Sequence, residues 1–197
     1  MIAPRTTTSV AYHEAGHAVA NVLAWQYADH TDEVPERLLT RVDIFEPGLR
    51  FGGFCGGPPV YSTQWPAHER IHARWRSAME WQIVFGMAGG IAEAVFRGEL
   101  RQGKVYGFAS ANCGMKTDMA ELSDVMDDLY LLTRRRHGPQ RFAVRTLRLV
   151  QAQWPAVEVL AKALQANNYI NGDDAQQIVE NNLTWCPIER RHLGVEG

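Results

Sequence analysis

The sequence has few of the features that mark several large classes of protein. Its cysteines, Cys55, Cys113 and Cys186, are odd in number and widely separated, so they predict neither a disulfide framework nor a cysteine-rich metal site. Free thiols are typical of a reducing compartment, and we therefore expect a cytoplasmic protein. The net charge of −2 offers no basic surplus, so nucleic acid is not an expected partner.

Long hydrophobic runs are also missing. The most apolar segment, residues 83–92, is much shorter than the roughly 20 residues that a membrane-spanning helix needs. Residues 1–5 are followed by three threonines rather than by the apolar core of a signal peptide. Hydrophobic residues make up 46% of the chain and charged residues 21%, as in globular proteins. We expect a single domain over residues 1–197 without a membrane span.

What the chain does contain is a short motif with a specific chemistry, His-Glu-x-x-His at His13, Glu14 and His17. Residues four apart on an α-helix share one face and lie about 6 Å apart along its axis, so both imidazoles can bind one zinc ion. Glu14 is then placed to act as a general base on a water molecule at the metal. This motif predicts a hydrolytic zinc site.

The same pattern occurs a second time, at residues 68–72. There Arg70 would place a permanent positive charge between the two histidines, in a site that must be partly dry. Further arginines, Arg74 and Arg76, follow soon after and indicate a solvated helix start. We therefore assign the metal to the first copy.

A catalytic zinc ion takes three protein ligands, so a third must come from elsewhere in the chain. Asp118 follows a glycine-containing loop at a predicted helix start, where it could equally be a simple helix cap. Glu93 lies within an apolar helix, where a carboxylate needs a partner. It could be a ligand or could hydrogen-bond to a ligating histidine. Spacing alone leaves both candidates open.

A strand is predicted over residues 38–45, because β-branched residues alternate there. Its residues Val42, Asp43, Ile44 and Phe45 are candidates for pairing with an extended peptide substrate. The glycine-rich residues 51–59 are interpreted either as an edge that lines the substrate site or as a flexible turn.

The remaining pattern is helical. Thr8 or Ser9 can cap the first helix, which is predicted to bury an apolar stripe. Gly86, Gly89 and Gly90 weaken the long second helix, and we expect them to allow close approach of another helix, for which the zinc helix is the candidate. Helices are predicted over residues 9–27, 67–97, 118–136, 139–154 and 155–168, with a short one after a turn at 171–173 and a loop over 98–114.

Several segments, in order, resemble the peptidase domain of the FtsH family of ATP-dependent zinc metalloproteases. They are residues 11–19 (the zinc helix), 40–51 (a strand and Pro-x-Gly turn), 88–96 (a helix of the AGRxAEE type), 116–119 (the SND segment) and 157–178 (the C-terminal helices). The chain departs from the family where Gly90 replaces an arginine and Ala94 a glutamate. The resemblance implies that Asp118 is the third zinc ligand, ahead of Glu93.

The resemblance implies a mainly α (α+β) fold, a zincin-like helical metallopeptidase domain with a small β-sheet or hairpin beside the zinc helix. It implies a stand-alone metalloendopeptidase that hydrolyses unstructured peptides or proteins, with a zinc ion on His13, His17 and Asp118 and Glu14 as general base. A homo-oligomer or a separate ATPase would be its partners. The alternatives are a catalytically inactive zinc-binding interaction or regulatory module and a metal-free helical domain.

Overall fold

The computed structural model describes residues 6–27, 35, 37–44, 53–58, 69–98, 100, 105–113, 115–120 and 122–184. These residues are mainly helical with a small antiparallel sheet, so the predicted fold class is confirmed. The helices are α1 (Thr7–Tyr27), α2 (Glu69–Phe96), α3 (Val105–Asn112), α4 (Met115–Ala120), α5 (Ser123–Thr133), α6 (Pro139–Ala152), α7 (Trp154–Asn167) and α8 (Gly172–Asn182). The strands are β1 (Arg41–Asp43), β2 (Phe54–Gly56) and β3 (Tyr169–Asn171).

Helix α1 lies at the centre of the described structure. It is buried without interruption from Ser9 to Trp25, and it packs against α2 and α7. The predicted apolar stripe was therefore too narrow, because a helix covered on every side belongs to the core. Small side chains such as Ala11, Ala15 and Ala18 allow this, since neighbouring helices can approach them closely. The His-Glu-x-x-His motif is consequently held in the protein interior.

Glycines set the spacing between α1 and α2. A Cβ atom on Gly16 would lie 2.6 Å from a backbone carbonyl oxygen of α2, closer than any side chain tolerates. Gly89 faces the ring of His17, which confirms close approach of the zinc helix at that position. Gly86 instead faces Leu122, the residue before α5, and Gly90 faces Met115, the first residue of α4. The glycines of α2 therefore admit three different neighbours rather than α1 alone.

The sheet has the strand order β2-β1-β3, and both pairings are antiparallel. Val42, in the central strand, is opposite Cys55 on one side and Ile170 on the other. The strand predicted over residues 38–45 is shorter, because β1 covers Arg41–Asp43 alone. Ile44 still bonds through its backbone N–H to the Asn168 carbonyl, 3.0 Å away. Phe45 lies outside the described residues.

The region that carries Asp118 differs from the prediction. The expected loop over residues 98–114 contains α3, whose Val105 and Ala109 are spaced as on one helix face and are both buried. The expected helix over 118–136 is divided into α4 and α5. The division falls at Leu122, whose side chain fits against Gly86. Packing between helices has therefore overridden the local helical pattern.

The C-terminal elements α7, β3 and α8 connect the sheet to the helices, because β3 pairs with β1 and lies between the two helices in the chain. Helix α7 ends at Asn168, which adopts a left-handed conformation with φ of 59°. The predicted turn at residues 171–173 is the junction of β3 and α8, where the Asn171 side chain accepts a hydrogen bond of 2.9 Å from the Asp174 N–H. Among the helices described, none is sufficiently long and apolar to cross a membrane.

Candidate metal centre

The histidine half of the candidate centre is built by α1. His13 and His17 are four residues apart, so their rings lie on the same face, and their Nε2 atoms are 3.2 Å apart. The two residues are only 4% and 7% exposed. Two imidazoles held this close, away from bulk water, could supply two ligands to one metal ion.

Asp118 on α4 completes the group. Its Oδ2 atom lies 3.3 Å from His13 Nε2 and 3.6 Å from His17 Nε2. Ligands bound at about 2.0–2.2 Å to a tetrahedral metal ion are themselves separated by about 3.3–3.6 Å. The three observed separations therefore suit one shared ion, and the group His13, His17 and Asp118 could hold a metal. Glu93, the other candidate for third ligand, lies on the far side of the His13 ring.

Outer contacts orient both imidazoles. His17 Nδ1 lies 2.8 Å from the Phe85 carbonyl oxygen, which can only accept, so Nδ1 carries a hydrogen and, in the neutral ring, Nε2 presents its lone pair. His13 Nδ1 lies 3.2 Å from Glu93 Oε2 and donates to this carboxylate in the same way. Partners of this kind are typical of metal-binding histidines, since they fix the tautomer and the ring orientation.

The charges around the centre favour a cation. Burial opposes a charge on His13, but the carboxylates of Asp118, Glu93 and Glu14 outweigh burial and raise the pKa of His13 to about 9. Burial also opposes ionisation of Asp118, but the adjacent imidazoles outweigh it and lower the pKa of that carboxyl. Asp118 Oδ2 is buried and makes no well-aligned hydrogen bond among the described residues, although His13 Nε2 lies 3.3 Å away. A proton on His13 can satisfy one neighbouring atom, whereas a metal ion satisfies three.

Glu93 is fixed by contacts on the side of its carboxylate away from the metal ligands. It is fully buried, it accepts a hydrogen bond of 3.1 Å from the Ser9 hydroxyl, and Arg97 Nη1 lies 3.5 Å from it. Ser9 therefore supports Glu93 and is not the helix cap. Thr6 has that role, because its Oγ1 accepts a hydrogen bond of 3.1 Å from the Ser9 N–H.

Glu14 borders a cavity of about 360 Å³ that opens onto the metal group. It is buried, and a Cβ atom on Gly53 would come within 2.6 Å of its Oε1 atom. A side chain at position 53 would therefore displace this carboxylate, so glycine leaves Glu14 in place where the chain enters β2. The cavity is also lined by Phe54, Cys55, Gln82, Phe85, Gly86, Leu122 and Val125. Glu14 and the three candidate ligands thus line one cavity, which is large enough for part of a peptide.

The sheet presents β2 to this cavity and not β1. Val42 and Asp43 lie in the central strand, paired on both sides, so their backbone cannot accept a further strand. The expectation that β1 pairs with substrate is corrected for this reason. Of the two interpretations of residues 51–59, the site-lining edge fits the described part, because Phe54 and Cys55 belong to an outer strand and line the cavity.

Other parts of the site were not predicted, or lie outside the described residues. The Phe85 carbonyl is a backbone group, so no residue type in the sequence reveals it. Leu122 lines the cavity from the break between α4 and α5, which were predicted as one continuous helix. His68, which begins the second His-Glu-x-x-His copy, and the side chains of residues 69–72 lie outside the described residues.

The sequence was compared with protein-family models and with curated proteins. No protein-family model matches the chain, and no curated protein matches it significantly. The resemblance to FtsH peptidases therefore depends on the motifs and their order along the chain. The capacity of His13, His17 and Asp118 to hold a metal ion depends on the geometry alone.

Proposed function

We propose that this protein is a zinc metallopeptidase that hydrolyses peptide bonds in extended, unstructured segments. One observation carries the proposal. His13, His17 and Asp118 direct three buried or half-buried donor atoms at one point, and the buried carboxylate of Glu14 lies in the cavity that opens onto that point. A purely structural metal site needs no such carboxylate, and the resemblance to FtsH peptidases supports the same function.

The donor set favours zinc. Two imidazole nitrogens and one carboxylate oxygen form a common ligand set for catalytic zinc, which keeps a fourth position for water or substrate. Calcium and magnesium prefer a larger number of oxygen ligands. When bound, zinc would supply Lewis acidity, which polarises a carbonyl group and makes a water molecule more acidic.

Glu14 would act first as the general base and then as the general acid. Its carboxylate accepts a proton from the attacking water, whose oxygen forms the new bond to the peptide carbonyl carbon. The carboxyl group then returns this proton to the amide nitrogen as the C–N bond breaks, so one water is consumed and an acid and an amine are released. Burial of Glu14 supports this role, because proton exchange with bulk water is restricted there.

Substrate would bind along β2. This strand is an edge of the described sheet, and antiparallel addition of an extended peptide would use its outer N–H and C=O groups. The same strand lines the cavity through Phe54 and Cys55, so a peptide paired with it passes beside Glu14. Folded proteins cannot supply such a strand, which is why we propose unstructured substrates.

The test is cleavage of a fluorescence-quenched unstructured peptide by zinc-loaded protein. Glu14→Gln keeps the shape of the side chain and removes the base, so we expect zinc binding to persist and cleavage to fall by at least about 100-fold. Glu69→Gln makes the same change in the second His-Glu-x-x-His copy and should leave cleavage unchanged. Equal cleavage by wild type and Glu14→Gln would contradict the mechanism. Zinc binding without cleavage by any form would favour the interaction-module alternative.

A further inference from the structure

A second cavity, of about 350 Å³, lies between α2 and α6, and its lining shares no residue with the cavity at the metal group. Arg141, Arg145 and Arg148 all line it, together with Glu80 of α2. The arginines are four and three residues apart, so they follow one face of α6. We call this cavity the arginine pocket. In a chain with a net charge of −2, it concentrates positive charge locally.

The side chain of Arg145 is held in place within this pocket. Its Nη1 atom donates to Glu80 Oε2 at 3.2 Å, and its guanidinium lies 5.0 Å from the ring centroid of the buried Trp81. The other oxygen of Glu80 accepts from Arg76 Nε at 3.0 Å. The carboxylate in the described lining is therefore neutralised by two arginines and does not cancel the positive charge of Arg141 and Arg148.

Those two arginines extend the positive charge to the surface. Arg141 and Arg148 are both exposed, and Arg141 Nη1 donates to His137 Nδ1 at 2.9 Å. Burial and the neighbouring Arg141 lower the pKa of His137. His137 is thus a neutral acceptor that helps to orient Arg141. A fixed arginine and two solvent-facing ones therefore line a space of small-molecule size, which Gln140, Phe142 and Val144 also line.

We propose that the arginine pocket binds a phosphate group carried by a small ligand. Guanidinium groups form paired, charge-assisted hydrogen bonds with phosphate oxygens, and several arginines that line one pocket favour such an anion over a neutral ligand. The pocket is a partly open cleft between two helices, whereas nucleic acid requires an extended basic stripe. This assignment does not depend on the proposed peptidase activity.

The experiment measures binding of inorganic phosphate by calorimetry and by thermal shift, with chloride at matched ionic strength as the reference. We expect wild type to bind phosphate and the double variant Arg141→Gln/Arg148→Gln to bind it more weakly by about tenfold or more. The control, Arg135→Gln/Arg136→Gln, removes the same charge from exposed residues that do not line the pocket. It should bind phosphate as wild type does.

A further variant separates this site from the metal centre, where phosphate could also bind. His17→Ala should leave phosphate binding unchanged, because His17 does not line the arginine pocket. Loss of binding in His17→Ala but not in the arginine double variant would overturn the proposal. No phosphate effect on wild type would overturn it too, as would an equal effect on all four proteins.

Discussion

The two halves of the candidate metal centre are built in different ways. His13 and His17 lie on one long helix that is buried throughout, and each ring has a fixed partner on α2. Asp118 lies on a helix of six residues, and its side chain is 24% exposed. Local helix geometry creates the histidine half, whereas packing of α4 against α2 creates the aspartate half.

This difference indicates where the centre is rigid. The histidine half can persist without α4, because its spacing comes from one helix and its orientation from Phe85 and Glu93. The aspartate half depends on the contact between Met115 and Gly90, which places α4 against α2. We therefore expect a steric clash in the histidine half to weaken metal binding more than a matching clash in the aspartate half.

Among variants that keep all three candidate ligands, the largest effect is expected from Gly89→Ala. A Cβ atom there would lie 2.7 Å from His13 Cδ2 and still closer to the ring of His17, so both imidazoles must shift. We expect zinc affinity, measured by competition with a chromogenic chelator, to fall by about 100-fold, at the upper end of effects seen for residues that orient ligands. Gly107→Ala is the control, because a Cβ atom there meets nothing within 4 Å.

Gly90→Ala introduces a Cβ atom on the side of α2 that faces α4, the helix that carries Asp118. Its Cβ atom would lie 2.5 Å from Met115 Cβ and would push α4, with Asp118, away from α2. Zinc affinity should therefore fall less than in Gly89→Ala. A greater loss from Gly90→Ala would reverse our comparison of the two halves.

The smallest effect is expected from Glu93→Gln. The amide oxygen can still accept from His13 Nδ1, but the negative charge that favours a cation is lost. We expect zinc affinity to fall by about tenfold, with helix content unchanged by circular dichroism. Glu93→Ala removes the acceptor as well and should cost more. If Glu93→Gln matched Gly89→Ala in effect, orientation of His13 through this hydrogen bond would be the wrong explanation.

The sequence was most informative where structure is local. His13, Glu14 and His17 share a helix, so their spacing was enough to predict how they are arranged. Asp118 lies about a hundred residues further on, and its place at the centre depends on tertiary packing. The resemblance, and not the spacing, selected it over Glu93.

Other features depend on neighbours that a single sequence does not reveal. Val42 and Asp43 show strand alternation, but whether a strand is central or at an edge depends on its partners, and here β1 is central. Leu122 interrupts a helical pattern because Gly86 of α2 leaves space for its side chain. Long-range packing decided both outcomes, against the local pattern.

The most direct measurement of the central claim is the zinc content of purified wild type, His17→Ala and Asp118→Ala after zinc loading and dialysis, with His72→Ala as the matched control from the second motif copy. We predict about one zinc per chain in wild type and His72→Ala, consistent with a single three-ligand site. Zinc should be lost in His17→Ala and reduced in Asp118→Ala. Full zinc content in Asp118→Ala would contradict the assigned ligand set, and absence of zinc from every form would contradict the metal centre itself.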